Sequence, residues 1–193
     1  MNNIEFLETI KAVDGKLYHL KYHQMRLEKT LPNANIILKN ILFPPPVGCF
    51  RCRVVYNEKD YTVSYHPYQK KDIRTLKLVV ANEIEYSKKY LNREAINNLF
   101  AKKASCDDVL IVKNGLITDT SIANVAFFYK NEWLTPKQPL LYGTTRQRLL
   151  ESSKIIMHDI EVADVQKFSQ MALMNAMIDF DIIAQDNIED IIC

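Results

Sequence analysis

Alternating apolar and polar residues predict two β-hairpins in the first part of the chain. The predicted strands are Ile4–Val13, Lys16–Leu20, Phe50–Tyr56 and Tyr61–His66. Asp14-Gly15 is a two-residue turn of the kind that joins hairpin strands. Apolar spacing predicts a helix from about Tyr22 to Pro32, and Asn33 is suited to cap a short helix that runs through Asn40.

The second part of the chain is predicted to contain more strands than helices. The predicted strands are Leu76–Ala81, Val109–Lys113, Asn124–Tyr129, Glu132–Leu134 and Met171–Asn175, and the predicted helices are Ala95–Lys103 and Thr145–Met157. The polar stretch Tyr68–Asp72 is the best linker, so we expect a small domain over residues 1–70 and a larger one over residues 75–193. Strands and helices do not alternate regularly, which favours an α+β fold over a doubly wound sheet.

Composition indicates a globular protein with no polyanionic partner. The chain has 193 residues, of which 48% are hydrophobic and 25% charged, and its formal net charge is +2. The basic residues are not in excess, so we expect no nucleic-acid partner. No window of about 18 residues is free of charge, so no membrane span is expected. The start lacks the basic and apolar regions of a secretory signal, and a cytoplasmic location is expected.

The glycine and cysteine counts exclude several kinds of site. Only four glycines occur, too far apart for a dinucleotide-binding fingerprint or a Walker loop. Four cysteines include one C-x-x-C pair, Cys49 and Cys52, but no second ligand pair has zinc-binding spacing. We therefore predict no metal site.

Two segments are suited to bind an anion. Gly143-Thr144-Thr145 places two hydroxyls and backbone N–H groups at a predicted helix start, where phosphates bind. Ordinary N-capping by Thr144 is the alternative explanation. His23 and Arg26 lie about one helical turn apart, so Arg26 could bind a phosphate on that face, unless the face is simply exposed to solvent.

Two further segments contain groups that are used in catalysis. In the Lys88-Lys89 pair, a buried amine beside positive charge would have a lowered pKa, which suits Schiff-base chemistry. Solvent exposure of both lysines is the alternative. The segment Ile117–Asn124 has the Asp119 carboxylate among short polar side chains, and an ordinary polar turn would explain the same pattern.

The order of these segments resembles the fold-type IV pyridoxal-phosphate enzymes, the family of branched-chain and D-amino-acid aminotransferases and aminodeoxychorismate lyase. The matching segments are Phe6–Ile10, Asp14–Lys16, His23–Leu27, Lys89–Arg93, Thr118–Asn124, Gly143–Gln147 and Met174–Met177. The resemblance covers nearly the whole chain. It implies a two-domain fold like that of D-amino-acid aminotransferase, shortened at the N-terminus, with pyridoxal 5'-phosphate (PLP) bound between the domains of a homodimer.

The resemblance also implies roles for single residues. The implied cofactor-binding residues are Arg26, Lys89, Asp119, Thr144, Thr145 and Asn175. Lys89 would be the Schiff-base lysine and proton carrier, and Arg26 would bind the cofactor phosphate. Asp119 stands where the family has a Glu that pairs with the pyridine nitrogen. The family's Arg-Gly loop is missing after Val55-Tyr56, so Arg51 and Arg53 are the candidates to bind a substrate carboxylate, and exposure of both side chains to solvent is the alternative.

The expected activity is that of the lyase branch, because Asn175-Ala176-Met177 resembles its Asn-Ala-Leu/Met stretch. The expected reaction converts 4-amino-4-deoxychorismate to 4-aminobenzoate and pyruvate. The alternatives are an amino-acid aminotransferase with the same cofactor site and a non-catalytic relative. The Asp119 substitution and the missing N-terminal segment motivate the second alternative.

Overall fold

The chain forms two compact units. The computed structural model describes residues 4–185, 188, 191 and 192. The first unit comprises residues 1–71 and 88–92, and the second comprises residues 72–87 and 93–193.

The first unit is an antiparallel sheet with helices on one side. In the described part of the chain its elements are β1 (Phe6–Val13), β2 (Lys16–Leu17), α1 (Leu20–Thr30), α2 (Leu38–Ile41), β3 (Cys49–Tyr56) and β4 (Tyr61–Pro67). The strand order is β2-β1-β3-β4, and both predicted hairpins are confirmed. Asp14 and Gly15 have φ values of 47° and 76°, the positive values that a tight hairpin turn requires.

Residues of β1 alternate between the two faces of this sheet. Phe6, Ile10 and Ala12 pack with Leu27 of α1 in the core of the unit. Glu8 lies on the same face and is 0% exposed. A carboxylate buried among apolar side chains needs charged or hydrogen-bonding partners, because burial in an apolar region disfavours the charge.

The segment Lys88–Asn92 belongs with the first unit because it pairs with β1. The Leu7 N–H donates to the Lys89 carbonyl at 2.8 Å, and Phe6 forms an antiparallel bridge with Tyr90. The sequence assigned Lys89 to the range 75–193, but these contacts group it with residues 1–71.

The second unit is built around a mixed sheet. In the described residues its elements are β5 (Leu76–Val80), α3 (Glu94–Phe100), β6 (Asp108–Lys113), β7 (Leu116–Thr120), β8 (Asn124–Tyr129), β9 (Glu132–Pro136), α4 (Thr144–Glu151), β10 (Ile156–His158), β11 (Gln170–Asn175) and β12 (Asp179–Gln185). The strand order is β10-β9-β8-β7-β6-β5, and β11 pairs with both β8 and β12. Among the strands that the structure describes, β5 pairs with β6 in parallel, and so does β9 with β10. This mixture confirms the predicted α+β class.

The core of the second unit consists of apolar residues from several strands. Leu110, Val125, Phe127 and Met171 are each 0% exposed within it. Continuous apolar runs such as that in β6 are typical of strands covered on both faces.

The predicted helix Thr145–Met157 is too long. Helix α4 ends at Glu151 and its capping residue Ser152 is followed by Ser153, whose φ is 54°. Left-handed backbone cannot continue a helix. The apolar residues beyond it form β10 and the buried Ile155, which lack the helical spacing that the prediction assumed.

The predicted short helix from Asn33 is also wrong at its start. Helix α2 begins only at Leu38. The Gln24 side-chain amide donates to the Ile36 carbonyl at 2.9 Å and accepts from the Leu38 N–H at 2.9 Å. These side-chain bonds replace the helical ones.

Among the residues that the structure describes, none of the helices has the length and apolar character needed to span a membrane.

Candidate active site

Glu8, His23 and Arg26 form a buried hydrogen-bonded cluster in the first unit. Strand β1 places Glu8 on the core face, and α1 brings His23 and Arg26 to it. Glu8 accepts two hydrogen bonds from Arg26, from Nε at 2.7 Å and from Nη2 at 2.6 Å. Its Oε2 lies 2.6 Å from His23 Nδ1. The paired contact orients the Arg26 guanidinium and confirms that His23 and Arg26 share one helix face.

The surroundings of Glu8 and His23 determine which of the two is charged. Burial alone would raise the pKa of Glu8, but the Arg26 charge and the hydrogen bonds from His23 and Arg26 lower it to about 2. Burial lowers the pKa of His23, against the opposing effect of Glu8, and the charges of Arg26 and Lys89 lower it further. His23 is therefore neutral at pH 7 and donates its Nδ1 proton to the ionised carboxylate.

Replacing Glu8 with Gln is expected to destabilise the protein by about 3–5 kcal/mol, because it leaves the buried Arg26 charge without its counter-ion. The folded protein keeps Glu8 ionised down to about pH 2, whereas the unfolded chain takes up a proton near the ordinary value of 4.5. The free energy of unfolding of the wild type therefore decreases as the pH falls below about 4.5, and that of Glu8→Gln should decrease less over the same range. Urea unfolding at several pH values measures both effects.

Glu28→Gln is the matched control, because Glu28 is an exposed residue of α1. We expect it to change the free energy of unfolding by less than about 0.5 kcal/mol. Equal destabilisation by the two variants would contradict the role of Glu8 as the counter-ion.

The two neighbouring lysines have different surroundings. Lys88 is exposed, and its Nζ donates to the Thr30 carbonyl at 3.1 Å and lies 5.5 Å from the centroid of the Phe6 ring. Lys89 is half-buried, and its charge acts on His23. Lys89 is therefore the lysine placed near the Glu8–His23–Arg26 cluster.

Arg51 and Arg53 lie on alternate positions of β3 and so share one face of the sheet. Arg51 is exposed and Arg53 half-buried, while the intervening Cys52 is 0% exposed and packs in the core of the unit. No ion pair of either arginine is found among the described residues.

Asp119 is buried near the end of β7 in the second unit and is 4% exposed. Its Oδ1 accepts a hydrogen bond from Asn124 Nδ2 at 2.7 Å, and its Oδ2 accepts from the Leu141 N–H at 2.9 Å. Asn124 Nδ2 also donates to the Leu141 carbonyl at 2.8 Å. The carboxylate is thereby held by a neighbouring strand and by the loop before α4.

Burial raises the pKa of Asp119 to about 7, against the opposing effects of the Leu141 N–H, the Asn124 amide and the Arg146 guanidinium. The carboxyl therefore changes its charge near neutral pH. A protonated ring nitrogen placed against it would favour the ionised form.

The start of α4 has the properties of an anion-binding site. Thr144 and Thr145 are 5% and 4% exposed, and the helix has no side-chain capping hydrogen bond, so the alternative of capping by Thr144 is wrong. The first N–H groups of a helix lack partners within it and lie at its positive end. Arg146, in the same turn, is 3% exposed, and its Nε has no hydrogen-bond partner in the described structure.

Replacing Gly143 with Ala is expected to destabilise the protein by about 1–3 kcal/mol, because the new methyl group has no space. A Cβ at this position would lie 2.0 Å from Asn124 Oδ1, and Asn124 in turn holds Asp119. Urea unfolding measures the loss. The double variant Gly143→Ala/Asn124→Ala should lose less stability than the sum of the losses of the two single variants, because the shorter side chain at position 124 removes the clash. Additive losses would contradict this steric cause.

Asn175 lies beside the Asp119 turn, but its side chain forms a turn of its own. Its Oδ1 accepts from the N–H groups of Met177 at 2.9 Å and Ile178 at 3.1 Å. Its Nδ2 donates to the carbonyl of Ile122, between β7 and β8, at 3.3 Å. These contacts assign the Asn175 amide a role in shaping the β11–β12 connection.

The structure collects the residues singled out from the sequence into two groups. Arg26, Lys89, Arg51 and Arg53 lie in the first unit, and Asp119, Thr144, Thr145 and Asn175 lie in the second. The sequence interpretation missed Glu8 and Asn124, the partners that orient Arg26 and Asp119. Glu8 was detectable, because it interrupts the apolar positions Phe6, Ile10 and Ala12 on one strand face.

The family model described as amino-transferase class IV matches residues 56–184, which is more than half of the chain. The matched range includes Lys89, Asp119 and the start of α4. The chain belongs to the class IV aminotransferase family.

Several proteins are similar to this chain over most of its length. An uncharacterized protein of Haemophilus influenzae is 37% identical over 180 residues, which cover 88% of this chain and 96% of that protein. A Haemophilus somnus crystal structure, provisionally named a 4-amino-4-deoxychorismate lyase, has a TM-score of 0.82 and 38% identity, covering 92% of this chain and 98% of that one.

A second structure shows the fold alone. The PLP-bound form of a hypothetical aminotransferase from Mycobacterium tuberculosis has a TM-score of 0.75 at 18% identity, covering 93% of this chain and 80% of that one. The fold expected from the sequence resemblance is thereby confirmed.

Proposed function

We propose that this protein is a PLP-dependent lyase that converts 4-amino-4-deoxychorismate to 4-aminobenzoate, a folate precursor, and pyruvate. The observation that carries the proposal is that Lys89 and Arg26 lie in the same unit and that the charges of both act on His23, while two hydrogen bonds that Arg26 donates to Glu8 orient its guanidinium. An amine and an oriented guanidinium in one unit match a cofactor with an aldehyde and a phosphate. The provisional lyase name of the H. somnus protein supports this activity over transamination.

Each unit has donor groups that fit a part of PLP chemically. In the first unit Arg26 would suit a phosphate, and in the second the uncapped start of α4, with Thr144 and Thr145, would suit one as well. Asp119 would accept a hydrogen bond from the ring nitrogen, and its raised pKa would fall toward an ordinary value beside that cation. PLP, when bound, supplies an electron sink for the carbanion at the substrate carbon that bears the amine.

The residues of this chain then have separate tasks. Lys89 Nζ removes the proton from the substrate carbon that bears the amine. The C–O bond to the neighbouring enolpyruvyl group breaks, the ring becomes aromatic, and the released enol takes up a proton to become pyruvate. An ionised Asp119 would keep the ring nitrogen of the cofactor protonated, and Arg26 and the start of α4 are each suited to bind a phosphate. Arg51 and Arg53 are the proposed ligands of substrate carboxylate.

An amino-acid aminotransferase is the second candidate, and the family match favours it. Both reactions need the same lysine and the same anion-binding groups. They differ in one observable: excess amino acid converts the bound cofactor to its pyridoxamine form only if the protein transfers amino groups.

A direct assay distinguishes the candidates, including a non-catalytic relative. The purified protein is loaded with PLP and given 4-amino-4-deoxychorismate, and 4-aminobenzoate is measured by its fluorescence. Formation of 4-aminobenzoate without the pyridoxamine form supports the lyase. Conversion of the bound cofactor to its pyridoxamine form when only amino acids are added supports the aminotransferase. Binding of PLP without either reaction supports the non-catalytic relative.

We also propose a cytoplasmic homodimer that acts on a small-molecule substrate. The proposal follows from the family resemblance. Sedimentation equilibrium across a range of protein concentrations tests the dimer.

A further inference from the structure

The β7–β8 turn (residues 120–123) directly follows Asp119 and is closed by its own first residue. The Thr120 N–H donates to the Ala123 carbonyl at 2.9 Å. Thr120 Oγ1 accepts from the N–H groups of Ile122 at 3.3 Å and Ala123 at 3.0 Å. Threonine hydroxyls commonly close turns in this way. The shape of the turn is therefore set by residues within it.

A second set of hydrogen bonds ties the middle of the β7–β8 turn to other parts of the second unit. Arg93, which precedes α3, donates from Nη2 to the Ser121 carbonyl at 2.7 Å. Asp108, the first residue of β6, accepts hydrogen bonds from the Ser121 hydroxyl and from the Ser121 N–H. All three polar groups of Ser121 thus bind outside the turn. Since Thr120 already closes the turn, these bonds determine where the turn lies.

The two side chains that hold Ser121 have opposite charges. Asp108 is 1% exposed and Arg93 is half-buried. Burial raises the pKa of Asp108, against the opposing effects of the hydrogen bonds from Ser121 and Val109 and of the Arg93 charge. Burying a carboxylate is costly, but hydrogen bonds to charged groups are roughly twice as strong as those between neutral groups. This arrangement therefore indicates that the position of Ser121 is held firmly.

The position of the turn matters because it determines the position of Asp119. In the described structure β7 pairs with β8 at one position, where Asp119 lies opposite Asn124. The strand pairing therefore gives this end of the hairpin little support. A side chain that must meet a ligand atom has to be held within about 0.5 Å of its working position. The bonds to Ser121 supply the support that the strands lack.

We propose that Arg93 and Asp108 are positioning residues that act through Ser121 to hold the Asp119 carboxylate where it pairs with the ring nitrogen of PLP. The inference rests on the proposed function, which assigns Asp119 to that nitrogen, and it adds the residues that keep Asp119 in place. When the turn is released, Asp119 moves away from the ring nitrogen. The ring nitrogen then loses its proton at a lower pH, because the nearby anion that favours its charge is displaced.

Nuclear magnetic resonance of the protein loaded with PLP that carries nitrogen-15 in its ring tests the proposal. The chemical shift of that nucleus, followed across the pH range in which the protein stays folded, gives the midpoint of ring-nitrogen deprotonation. We expect Arg93→Gln to lower this midpoint by at least about one pH unit, a tenfold change in proton affinity. Asp119→Asn removes the anion itself and should lower the midpoint further.

The direction of the shift distinguishes a positioning role from a charge effect. Removing a cation from the surroundings of a protonated ring nitrogen would raise the pKa of that nitrogen. A lower midpoint in Arg93→Gln is therefore explained by displacement of Asp119 and not by loss of the Arg93 charge. Arg93→Lys keeps the charge and a donor for the Ser121 carbonyl, so its midpoint should lie between those of Arg93→Gln and the wild type. The Arg146 guanidinium, which also acts on Asp119, is unchanged in each variant.

Ser121→Ala tests the same role without a change of charge. It removes the hydroxyl that donates to Asp108 and keeps the carbonyl that binds Arg93. We expect its midpoint to fall below that of the wild type, by less than in Arg93→Gln, and this variant decides the question if Arg93→Gln does not fold. Arg74→Gln is the matched control, because Arg74 is an exposed arginine of the second unit that pairs with the exposed Asp72. It should leave the midpoint unchanged.

The outcomes separate this inference from the proposed function. A lower midpoint in Asp119→Asn, with an unchanged or higher one in Arg93→Gln and Ser121→Ala, would support the pairing of Asp119 with the ring nitrogen and overturn the positioning role. An unchanged midpoint in Asp119→Asn, or a wild type that binds no PLP, would reject that pairing and overturn the inference with it. Lower midpoints in all three variants of a protein that forms no 4-aminobenzoate would support the inference and reject the lyase.

Discussion

Lys89→Ala is expected to lower kcat by at least about 10⁴-fold, because the substitution removes both the nucleophilic amine and the group that moves the proton. The loss should persist at saturating PLP, since Arg26 and its partner Glu8 are unchanged. Borohydride reduction of the PLP-loaded wild type, followed by peptide mass analysis, should find the cofactor mass on Lys89. The variant should retain no such adduct.

Lys88→Ala is the control for this prediction, since it removes the same side chain one residue away. Lys88 Nζ is engaged by the Thr30 carbonyl and lies over the Phe6 ring. We expect Lys88→Ala to lose less than about 1 kcal/mol of stability, the value of one ordinary hydrogen bond, and to keep kcat within about twofold. An adduct on Lys88, or equal loss of activity in both variants, would contradict the assignment of Lys89.

The secondary-structure elements that could be predicted are those whose signal lies in adjacent residues of the sequence. Asp14-Gly15 predicted the β1–β2 turn because positive φ is favoured at few residue types, and alternation predicted β3 and β4. Elements that depend on partners far along the chain were less predictable. Strand β10 exists because it pairs with β9, and its three residues have no strand signal of their own.

The site shows the same division. Arg26, Asp119, Thr144 and Thr145 could be proposed from short motifs, since their residue types and order are properties of the sequence. The partners that orient them were not. Glu8 meets Arg26 across 18 residues of chain and Leu141 meets Asp119 across 22, so these contacts exist only in the folded protein.

The grouping of Lys89 with the first unit follows from long-range pairing. The stretch between Tyr68 and Asp72 is polar, which makes it a reasonable boundary from the sequence alone. No feature of the sequence near residues 88–92 predicts that they belong to the first unit. Their backbone bonds to β1, between residues more than 80 positions apart, decide it.

Asp119→Asn is expected to lower kcat by about 10²–10³-fold at pH 8, because the ring nitrogen loses the anion that keeps it protonated. Asp119→Glu should retain more activity than Asp119→Asn, since it keeps a carboxylate. Steady-state kinetics at saturating PLP measure both variants. Equal activity of Asp119→Asn and the wild type would contradict the proposed pairing with the ring nitrogen.

The same substitution should change the pH dependence of stability in the protein without cofactor. The folded state keeps the Asp119 proton up to about pH 7, whereas the unfolded chain releases it near the ordinary value of 3.8. The folded state therefore binds more protons in this window, and Asp119 lowers wild-type stability as the pH rises, by up to about 1.4 kcal/mol per pH unit. Asp119→Asn removes this contribution.

Urea unfolding of the cofactor-free protein from pH 5 to pH 8 measures the difference between wild type and Asp119→Asn. The amide changes the hydrogen bonds to Asn124 and Leu141 by an amount that does not depend on pH, so the slope of the difference isolates the charge of the carboxyl. Asp159→Asn, at an exposed position, should give a flat difference. A flat difference for Asp119→Asn as well would mean that the carboxyl is already ionised throughout the range. Burial would then be outweighed by Arg146 and the hydrogen bonds, and the Asp119 anion would be present before any cofactor binds.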